Sequence, residues 1–501
     1  MYHLNTYYLR GLVLSLLTSL LLAQSLAYAK PIADSPDDKT KGVKSTKVSA
    51  APDLQHLPEK VVALIQKYKI PTDELSILIQ EVNTPKPLVE HEVDIPRNPA
   101  STMKLLTTWT ALKVLGPAWR WKTEVWTRGT ISNGVLHGDL ILKGYGDPYL
   151  IYENFWQLMF DLRAKGLKDI QGNFIIDNSY FDVPEQLNQQ FDKTPERVYN
   201  ALPSALMFNF QATRFLFSPN SLSNTVEITT FPAGAVAQLE NQMTLHEGRC
   251  TEDNYNPVFV RQDAGAMLIR GNYATECGQQ FITRLMSTPT THAAQAFRQF
   301  WQLLGGTISG VDQVGVAQTA DQLFYTYHSA PLIDQIRAIN KWSNNVMTRQ
   351  LLLTLGAKGV GVPGTTAKGS EVIKTYLNSV GINTQGLVIE NGAGLSRDER
   401  LTARQMGQML NLIWRDAYMP EFISSLPLLG EDGTLLKRFR RQALRGQAHL
   451  KTGTLNDVTA LSGFLLTQTG KQLIVVIQHH GRHVSAGRAV QDALLEWAYN
   501  Q

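Results

Sequence analysis

Several features that would assign this chain to a familiar class of protein are missing from it. No cysteine follows the N-terminal apolar run, so a lipoprotein anchor is not expected, and beyond residue 26 no charge-free apolar stretch is long enough to span a membrane. The formal net charge is only +4 over 501 residues, which argues against the concentrated basic surface of a nucleic-acid-binding protein. Glycine-rich phosphate-binding patterns and internal repeats are also missing.

The first thirty residues have the pattern of a secretory signal. Arg10 precedes an apolar run over residues 11–26, and Ala27-Tyr28-Ala29 is a small-x-small cleavage site. We therefore expect export with cleavage near Ala29, while an uncleaved anchor is the alternative, because the run is nearly long enough to cross a bilayer. The polar residues 30–52 that follow are expected to form a flexible arm.

The chain, of which 43% of the 501 residues are hydrophobic, is long enough to form two or three domains with a large core. Helical and strand patterns mix in residues 53–125 and 319–501, whereas residues 126–318 show short alternating stretches separated by Gly, Asn and Pro. We predict an α/β (α+β) catalytic domain built from both ends of the chain, with a β-rich insertion between them. Cys250 and Cys277 both fall in this insertion and should pair in an exported protein, two separate buried thiols being the alternative.

Ser101-Thr102-Met103-Lys104 opens a strongly apolar helical pattern. A serine and a lysine three residues apart on a helix share one face, so the lysine nitrogen can reach the serine oxygen. This pair forms a nucleophile with its own base, provided that burial and a second cation lower the pKa of Lys104. The positive end of the helix dipole and the backbone N–H of Ser101 would favour a developing oxyanion. On its own the pattern is common, and an ordinary serine N-cap followed by a helical lysine would then be the preferred interpretation.

Two further motifs lie downstream. Ser343 and Asn345 are two residues apart, so a break between helices is needed to aim both at one cleft, where Ser343 could relay a proton and Asn345 could donate to an amide carbonyl. Lys451-Thr452-Gly453 lies on a predicted edge strand. Its lysine and threonine could hold a substrate carboxylate, and Thr454 follows with a backbone N–H as the second oxyanion donor. A ligand backbone can approach the strand closely at its glycine.

The three motifs together, in this order, indicate an enzyme that forms a penicilloyl-serine adduct. The chain resembles the penicillin-binding protein 4 family, the class C low-molecular-mass D-alanyl-D-alanine carboxypeptidases and endopeptidases. The resemblance extends over the mature chain and includes other segments: Gly138-Asp139-Leu140-Ile141-Leu142, Gly146-Asp147-Pro148, Asp177-Asn178-Ser179, Gly394-Leu395-Ser396-Arg397, Gly433-Thr434-Leu435 and Thr459-Ala460-Leu461-Ser462-Gly463. Asn391 and Ala393 stand where the family usually has Asp and Ser.

The resemblance implies a penicilloyl-serine transpeptidase-like (β-lactamase-like) fold with a large insertion, no cofactor, and location in the periplasm. Peptidoglycan stem peptides and β-lactams would be its ligands, with cleavage of D-Ala-D-Ala ends and of D-Ala-diaminopimelate cross-links through an acyl-enzyme on Ser101. It also implies that Arg397, Asn456 and Asp177 contact the side-chain end of a diaminopimelate-type substrate. Peripheral contact with wall or membrane is compatible with it, and the oligomeric state is left open.

Two other functions compete with this one. A serine β-lactamase would share the acyl-enzyme but hydrolyse it fast, and the long insertion and the lack of an evident deacylating glutamate disfavour it. A non-catalytic wall-binding scaffold is disfavoured by the intact motifs. The histidines at 479, 480 and 483 are expected in a solvated strand end and loop rather than in a metal site, because no acidic residue lies nearby in sequence.

Overall fold

The computed structural model of the chain describes residues 54, 56–183, 192, 194–233, 236, 238–262 and 266–501. The predicted signal peptide and flexible arm lie outside these residues. Within the part that the structure describes, no helix combines the length and the apolar character needed to cross a membrane. The chain divides into two compact units, one holding residues 214–230 and 237–283 and the other holding residues 53–213, 231–236 and 284–501.

The regular elements are numbered here in chain order. The described helices are α1 Glu59–Lys67, α2 Lys104–Leu115, α3 Tyr152–Ala164, α4 Pro289–Leu303, α5 Leu332–Trp342, α6 Asn345–Gly359, α7 Thr366–Ser379, α8 Ala403–Trp414, α9 Met419–Ser425 and α10 Val484–Tyr499. The described strands are β1 Leu75–Glu81, β2 Val89–His91, β3 Lys122–Ser132, β4 Val135–Gly144, β5 Asp169–Ile170, β6 Phe174–Asp177, β7 Thr213–Asn220, β8 Thr225–Phe231, β9 Leu239–His246, β10 Val258–Arg261, β11 Met267–Ala274, β12 Gln280–Arg284, β13 Thr307–Ile308, β14 Asp312–Val314, β15 Gln322–His328, β16 Ala448–Leu455, β17 Val458–Leu466 and β18 Gln472–His480.

A five-stranded sheet in the order β16-β17-β18-β1-β2 lies in the larger unit and carries Lys451-Thr452-Gly453 on its end strand, β16. Its pairings are antiparallel, with Ile77 opposite Ile477 and Lys451 opposite Ser462. Strand β18 is a nearly unbroken apolar run because helices cover both faces of the sheet. Val476 faces a core that α2, α5, α6 and α8 complete, whereas Val475 faces a second core closed by α1 and α10.

Helix α2 is the central helix of the first of these cores, as its wide apolar surface predicts. Leu105, Leu106, Trp109 and Leu112 are all buried, and Trp109 packs edge-on against Phe422 of α9. Because α2 is enclosed by α5, α6, α7 and α8, the lysine at its first position is drawn into the protein interior. The helix ends at Gly116, which adopts a positive φ of 83°, as the Gly-Pro pair predicts.

The predicted insertion contains a seven-stranded mixed sheet, ordered β13-β5-β4-β3-β15 with β6 and β14 branching from β4. This sheet begins at Lys122 and ends at His328, so it extends beyond both ends of the expected range 126–318. Two helices, α3 and α4, cover it with Phe155, Leu158 and Phe297. The insertion therefore contains two helices in addition to the strands that its sequence pattern predicted.

The smaller unit is built of strands, in two three-stranded sheets ordered β10-β11-β9 and β12-β7-β8. Strands β9 and β11 run parallel, and β10 pairs with β11 in the antiparallel sense. A disulfide joins Cys250 to Cys277 across 27 residues of this unit. The predicted pairing is therefore the one seen in the structure, and the alternative of two separate thiols is not.

Candidate active site

The candidate nucleophile Ser101 lies in a single 3₁₀ turn, Ala100–Met103, that leads directly into α2. Lys104 is the first residue of α2 and is completely buried. Its Nζ lies 3.0 Å from Ser101 Oγ, which is the contact that the three-residue spacing predicts. Ser101 itself remains partly exposed, so a ligand can reach its oxygen.

Lys104 Nζ has two further partners, Asn345 Oδ1 at 2.6 Å and the carbonyl oxygen of Ala393. Both accept hydrogen bonds, and a neutral amine has two N–H groups and one lone pair. With the two N–H groups directed at these acceptors, the lone pair of the neutral amine faces Ser101 Oγ. The three contacts therefore orient Lys104 to take the serine proton.

The pKa of Lys104 lies well below its ordinary value. Burial is the main cause because it disfavours the ammonium, and the charge of Lys451 acts in the same direction. Arg349 adds to the lowering, while the carboxylate of Glu399 opposes it. These are the two physical means, burial and a second cation, that the sequence predicts for a lysine base.

Ser343 stands at a break between two helices. It caps the C-terminus of α5 in the left-handed conformation, with φ 58° and ψ 40°, and the next helix, α6, begins at Asn345. Asn344 caps that helix by accepting from the backbone N–H of Met347 at 3.0 Å. This reversal brings Ser343 to Lys451 and Asn345 to Lys104, although a continuous helix would have separated them.

Lys451 is buried on β16, at the end of the strand order, and its Nζ donates to Ser343 Oγ at 2.8 Å. Burial lowers its pKa to about 7. Thr452, next in the strand, donates to Thr434 Oγ1 at 2.9 Å, which ties β16 to the 433–435 turn. Lys104 therefore contacts Ser101, and Lys451 contacts Ser343.

Gly453 lets β16 pass directly beside the turn that carries the nucleophile. A Cβ there would lie 2.7 Å from Pro99 O and 3.0 Å from Ser101 N, so a larger residue would push the two segments apart. Thr454 follows at an exposed position of the same strand. Thr454 therefore follows the glycine that packs beside the Ser101 turn, and its role as the second oxyanion donor stays a prediction.

Arg397 lies near the turn that follows β16, which contains Asn456 and Asp457. Arg397 is exposed, and its Nη1 lies 2.7 Å from Oδ1 of Asp457, the neighbour of Asn456 in the β16–β17 turn. Their predicted contact with substrate remains a prediction. Sequence reasoning did not include Asp457, because an ion pair between segments sixty residues apart leaves no local pattern.

Asp177 lies in a different setting. Its side chain is fully buried and pairs with Lys143 Nζ at 3.0 Å, while the backbone N–H groups of Ser179 and Ala317 both donate to it at 2.9 Å. Hydrogen bonds of this kind lower its pKa. These are the contacts of a structural carboxylate, and the substrate contact implied by the resemblance stays a prediction.

The expected solvated position of the histidines is wrong for His479. This residue is buried on β18, and its Nε2 lies 3.1 Å from Glu74 Oε2, an acidic partner too distant in sequence to be anticipated. His483 Nδ1 lies 3.4 Å from the same oxygen. The cluster packs at the end of the sheet, where it joins β18 to the turn before β1.

The segment 390–399 closes the site behind Lys104, a role that the sequence did not predict although residues 391–397 were noted for their resemblance to the family. Gly394, with φ 78°, packs closely against the 3₁₀ turn that carries Ser101, called here the nucleophile turn. A Cβ at residue 394 would lie 1.8 Å from Ala100 O. Asn98 joins the two segments, accepting from Ala100 N at 2.9 Å and donating to Ser396 O at 2.7 Å. Glu399 accepts three backbone N–H groups within the same segment. Its resemblance to family signatures was the available signal, but its role depends on backbone carbonyls that no side-chain pattern records.

Comparison with known proteins agrees with this geometry. Residues 57–501 match the model of the D-Ala-D-Ala carboxypeptidase 3 (S13) family. A D-alanyl-D-alanine carboxypeptidase from Actinomadura sp. (strain R39) is 26% identical over 457 residues, which cover 88% of this chain and 84% of the relative.

Solved structures show the same fold. The crystal structure of penicillin-binding protein 4 (dacB) from Haemophilus influenzae superposes with a TM-score of 0.73 at 22% identity, covering 88% of this chain and 99% of that one. A second structure of that protein, complexed with a β-lactam, gives 0.71 at 21% identity, with 88% and 100% covered. The predicted penicilloyl-serine transpeptidase-like fold is confirmed. The chain belongs to the D-Ala-D-Ala carboxypeptidase 3 (S13) family of serine DD-peptidases.

Proposed function

We propose that this protein cleaves peptidoglycan stem peptides through an acyl-enzyme on Ser101, acting as carboxypeptidase on D-Ala-D-Ala ends and as endopeptidase on D-Ala-diaminopimelate cross-links. The observation that carries the proposal is the set of contacts at Lys104 Nζ, which aims a buried lysine with a lowered pKa at the serine oxygen. Family membership supplies the class of substrate.

In the acylation step, the Oγ–H proton of Ser101 passes to Lys104 Nζ while Oγ bonds to the carbonyl carbon of the penultimate D-alanine. The negative charge on the carbonyl oxygen is stabilised by the backbone N–H groups of Ser101 and Thr454. Collapse of this intermediate breaks the C–N bond. Ser343, bonded to Lys451, then delivers a proton to the departing amine. Water attacks the acyl-serine ester in the second half-reaction and releases the shortened peptide. The proton of the water restores the one that Lys451 gave up through Ser343, and Lys104 returns its proton to Ser101 Oγ.

Substrate binding uses the edge of β16 from Lys451 onward, since Leu450 N already donates to Pro427 O. An extended peptide added to this edge would place its C-terminal carboxylate near Lys451 and Thr452, whose ammonium and hydroxyl suit a carboxylate. Asn345 directs its Oδ1 to Lys104, so its Nδ2 can donate to a substrate amide carbonyl. We include Arg397 and Asn456 as contacts for the side-chain end of the preceding residue, on the basis of the family resemblance and of the ion pair that holds Arg397 beside the β16–β17 turn.

The same site would react with β-lactams, which mimic the D-Ala-D-Ala end and would acylate Ser101 covalently. The disulfide and the N-terminal sequence pattern support export to the periplasm, where peptidoglycan is the available substrate. Penicillin labelling distinguishes this function from its two competitors. A DD-peptidase gives a long-lived adduct, a β-lactamase turns the drug over rapidly, and a non-catalytic scaffold gives no adduct.

Incubation with defined muropeptides, followed by mass analysis, tests the proposed reaction. We expect a pentapeptide to lose one terminal alanine and a cross-linked dimer to separate into two monomers, both only with Ser101 intact. The Ser101→Ala protein is the matched control, because it retains the fold and loses only the nucleophile. Folded protein that binds penicillin but releases neither product from these muropeptides would contradict the proposed substrate.

A further inference from the structure

Glu399 is a buried acidic residue that the reaction described above does not use. Its side chain has no exposed surface. Oε1 accepts backbone N–H groups from Glu390 at 3.3 Å, Asn391 at 3.0 Å and Gly392 at 2.8 Å. Oε2 is buried too and has no hydrogen-bond partner among the described residues. A buried carboxylate with one unpaired oxygen is costly, so its retention calls for an explanation.

The three N–H groups belong to the turn that leads directly to Ala393, whose carbonyl oxygen accepts from Lys104 Nζ. Two more contacts fix this turn: Thr107 of α2 donates to Gly392 O at 2.7 Å, and Ala393 N donates to Asn391 Oδ1 at 2.9 Å. A displacement of the turn would therefore move the Ala393 carbonyl. Glu399 is thus joined to the general base through the backbone of Gly392 and Ala393.

Glu399 also lies within the electrostatic reach of two buried cations, Lys104 and Arg349. Burial raises the pKa of Glu399, and the three N–H groups and Lys104 act against this rise. Lys104 faces three charged groups in all: Lys451 and Arg349, which disfavour its ammonium, and Glu399, which favours it. Of these three groups, Glu399 is the anion that stabilises the ammonium of Lys104.

We propose that Glu399 is a positioning residue for the reaction, which fixes the Ala393 carbonyl against Lys104 Nζ and places a buried negative charge behind the general base. The inference rests on the proposed function, in which Lys104 accepts the Ser101 proton. Proton transfer creates an ammonium in the protein interior, and a fixed anion reduces the cost of creating it. Glu399 touches neither Ser101 nor the substrate, so its effect is exerted through Lys104.

The sign of the effect on pH dependence follows from this arrangement. Lys104 must be neutral to act as a base, so acylation falls as pH drops through its pKa. A negative Glu399 raises that pKa, and Glu399→Gln removes the charge while keeping an oxygen for the three N–H groups. The acid limb of the acylation profile should therefore move to lower pH by about 1 unit. The plateau rate should fall several-fold because the base is weaker.

The experiment measures the second-order rate constant for acylation by one labelled penicillin between acid and neutral pH, with thermal unfolding in parallel. Glu390→Gln is the matched control. It removes a carboxylate from the same segment at an exposed position and keeps an oxygen that can accept from Ser396 Oγ. The Glu390 charge acts on Arg349 rather than on Lys104, so the acid limb of this variant should coincide with that of the wild type. Glu399→Asp retains the charge but shortens the side chain, so we expect an unshifted limb with acylation several-fold slower.

The inference would be overturned if the acid limb of the acylation profile of folded Glu399→Gln coincided with that of the wild type. A shift of this limb to higher pH would overturn it as well. Should Glu399→Gln not fold, Glu399→Asp decides: wild-type acylation by this variant would show that the turn needs no support from Glu399. Wild-type protein that is not acylated at any pH would instead contradict the proposed function, so the two failures can be told apart.

Discussion

Lys104→Arg is expected to abolish acylation of Ser101 by peptide and by β-lactam alike. Arginine retains the positive charge but cannot lose a proton near neutral pH, so it cannot accept the serine proton. Removing a general base costs about 10²–10⁴-fold. We therefore expect the acylation rate constant to fall by about 10³-fold, measured with one labelled penicillin on protein whose thermal unfolding remains cooperative.

Lys451→Arg provides the matched control. It makes the same substitution at the second buried lysine, which contacts Ser343 rather than Ser101. Because Lys451 is proposed to bind the substrate carboxylate and to set the local field, a permanent cation there should retain slow acylation and weaken affinity for the C-terminal carboxylate. Near-normal acylation by Lys104→Arg would refute this division between the two lysines.

Gly394→Ala is expected to lower acylation by about 100-fold, since a displacement of roughly 1 Å at reacting groups has an effect of this size. Its Cβ would lie 1.8 Å from Ala100 O and 2.6 Å from Ser101 N, so the nucleophile turn must shift. The positive φ of 78° adds strain for any residue with a side chain. The measurements are the penicillin acylation rate and the thermal unfolding midpoint.

Gly381→Ala separates strain from displacement. Gly381 has a similar φ of 84°, but nothing lies within 4 Å of the position its Cβ would take. This variant should lose some stability and keep its acylation rate. If Gly394→Ala acylates at a rate within twofold of Gly381→Ala, the close packing of residue 394 on the Ser101 turn does not position the nucleophile.

Local patterns in the sequence predicted the centre of the site because its contacts follow from short-range geometry. The Ser101–Lys104 contact needs only one helical turn, and the spacing of Ser343 and Asn345 implied the helix break that the structure places at residue 343. The edge strand predicted for Lys451-Thr452-Gly453 is β16, Ala448–Leu455. Each of these features depends on neighbours in sequence rather than on the fold around them.

The helices of the insertion were missed although the signal was present. Phe155, Leu158, Met159 and Leu162 recur at helical spacing in α3, and Thr288 caps α4, which has proline at its first position. The alternating stretches around them dominated the interpretation. By contrast, the Glu74–His479 pair and the contact of Ala393 with Lys104 could not be predicted, because each joins segments that only the tertiary fold brings together.

Peptide mapping of the penicillin adduct tests the central claim most directly. The protein should be labelled with a β-lactam, digested, and the modified residue located by mass spectrometry, with Ser101→Ala treated in parallel. We expect a single stable adduct on Ser101 and no adduct in the variant, because the buried Lys104 lies one turn along the helix from Ser101. Label on Ser343, or undiminished labelling of Ser101→Ala, would contradict it.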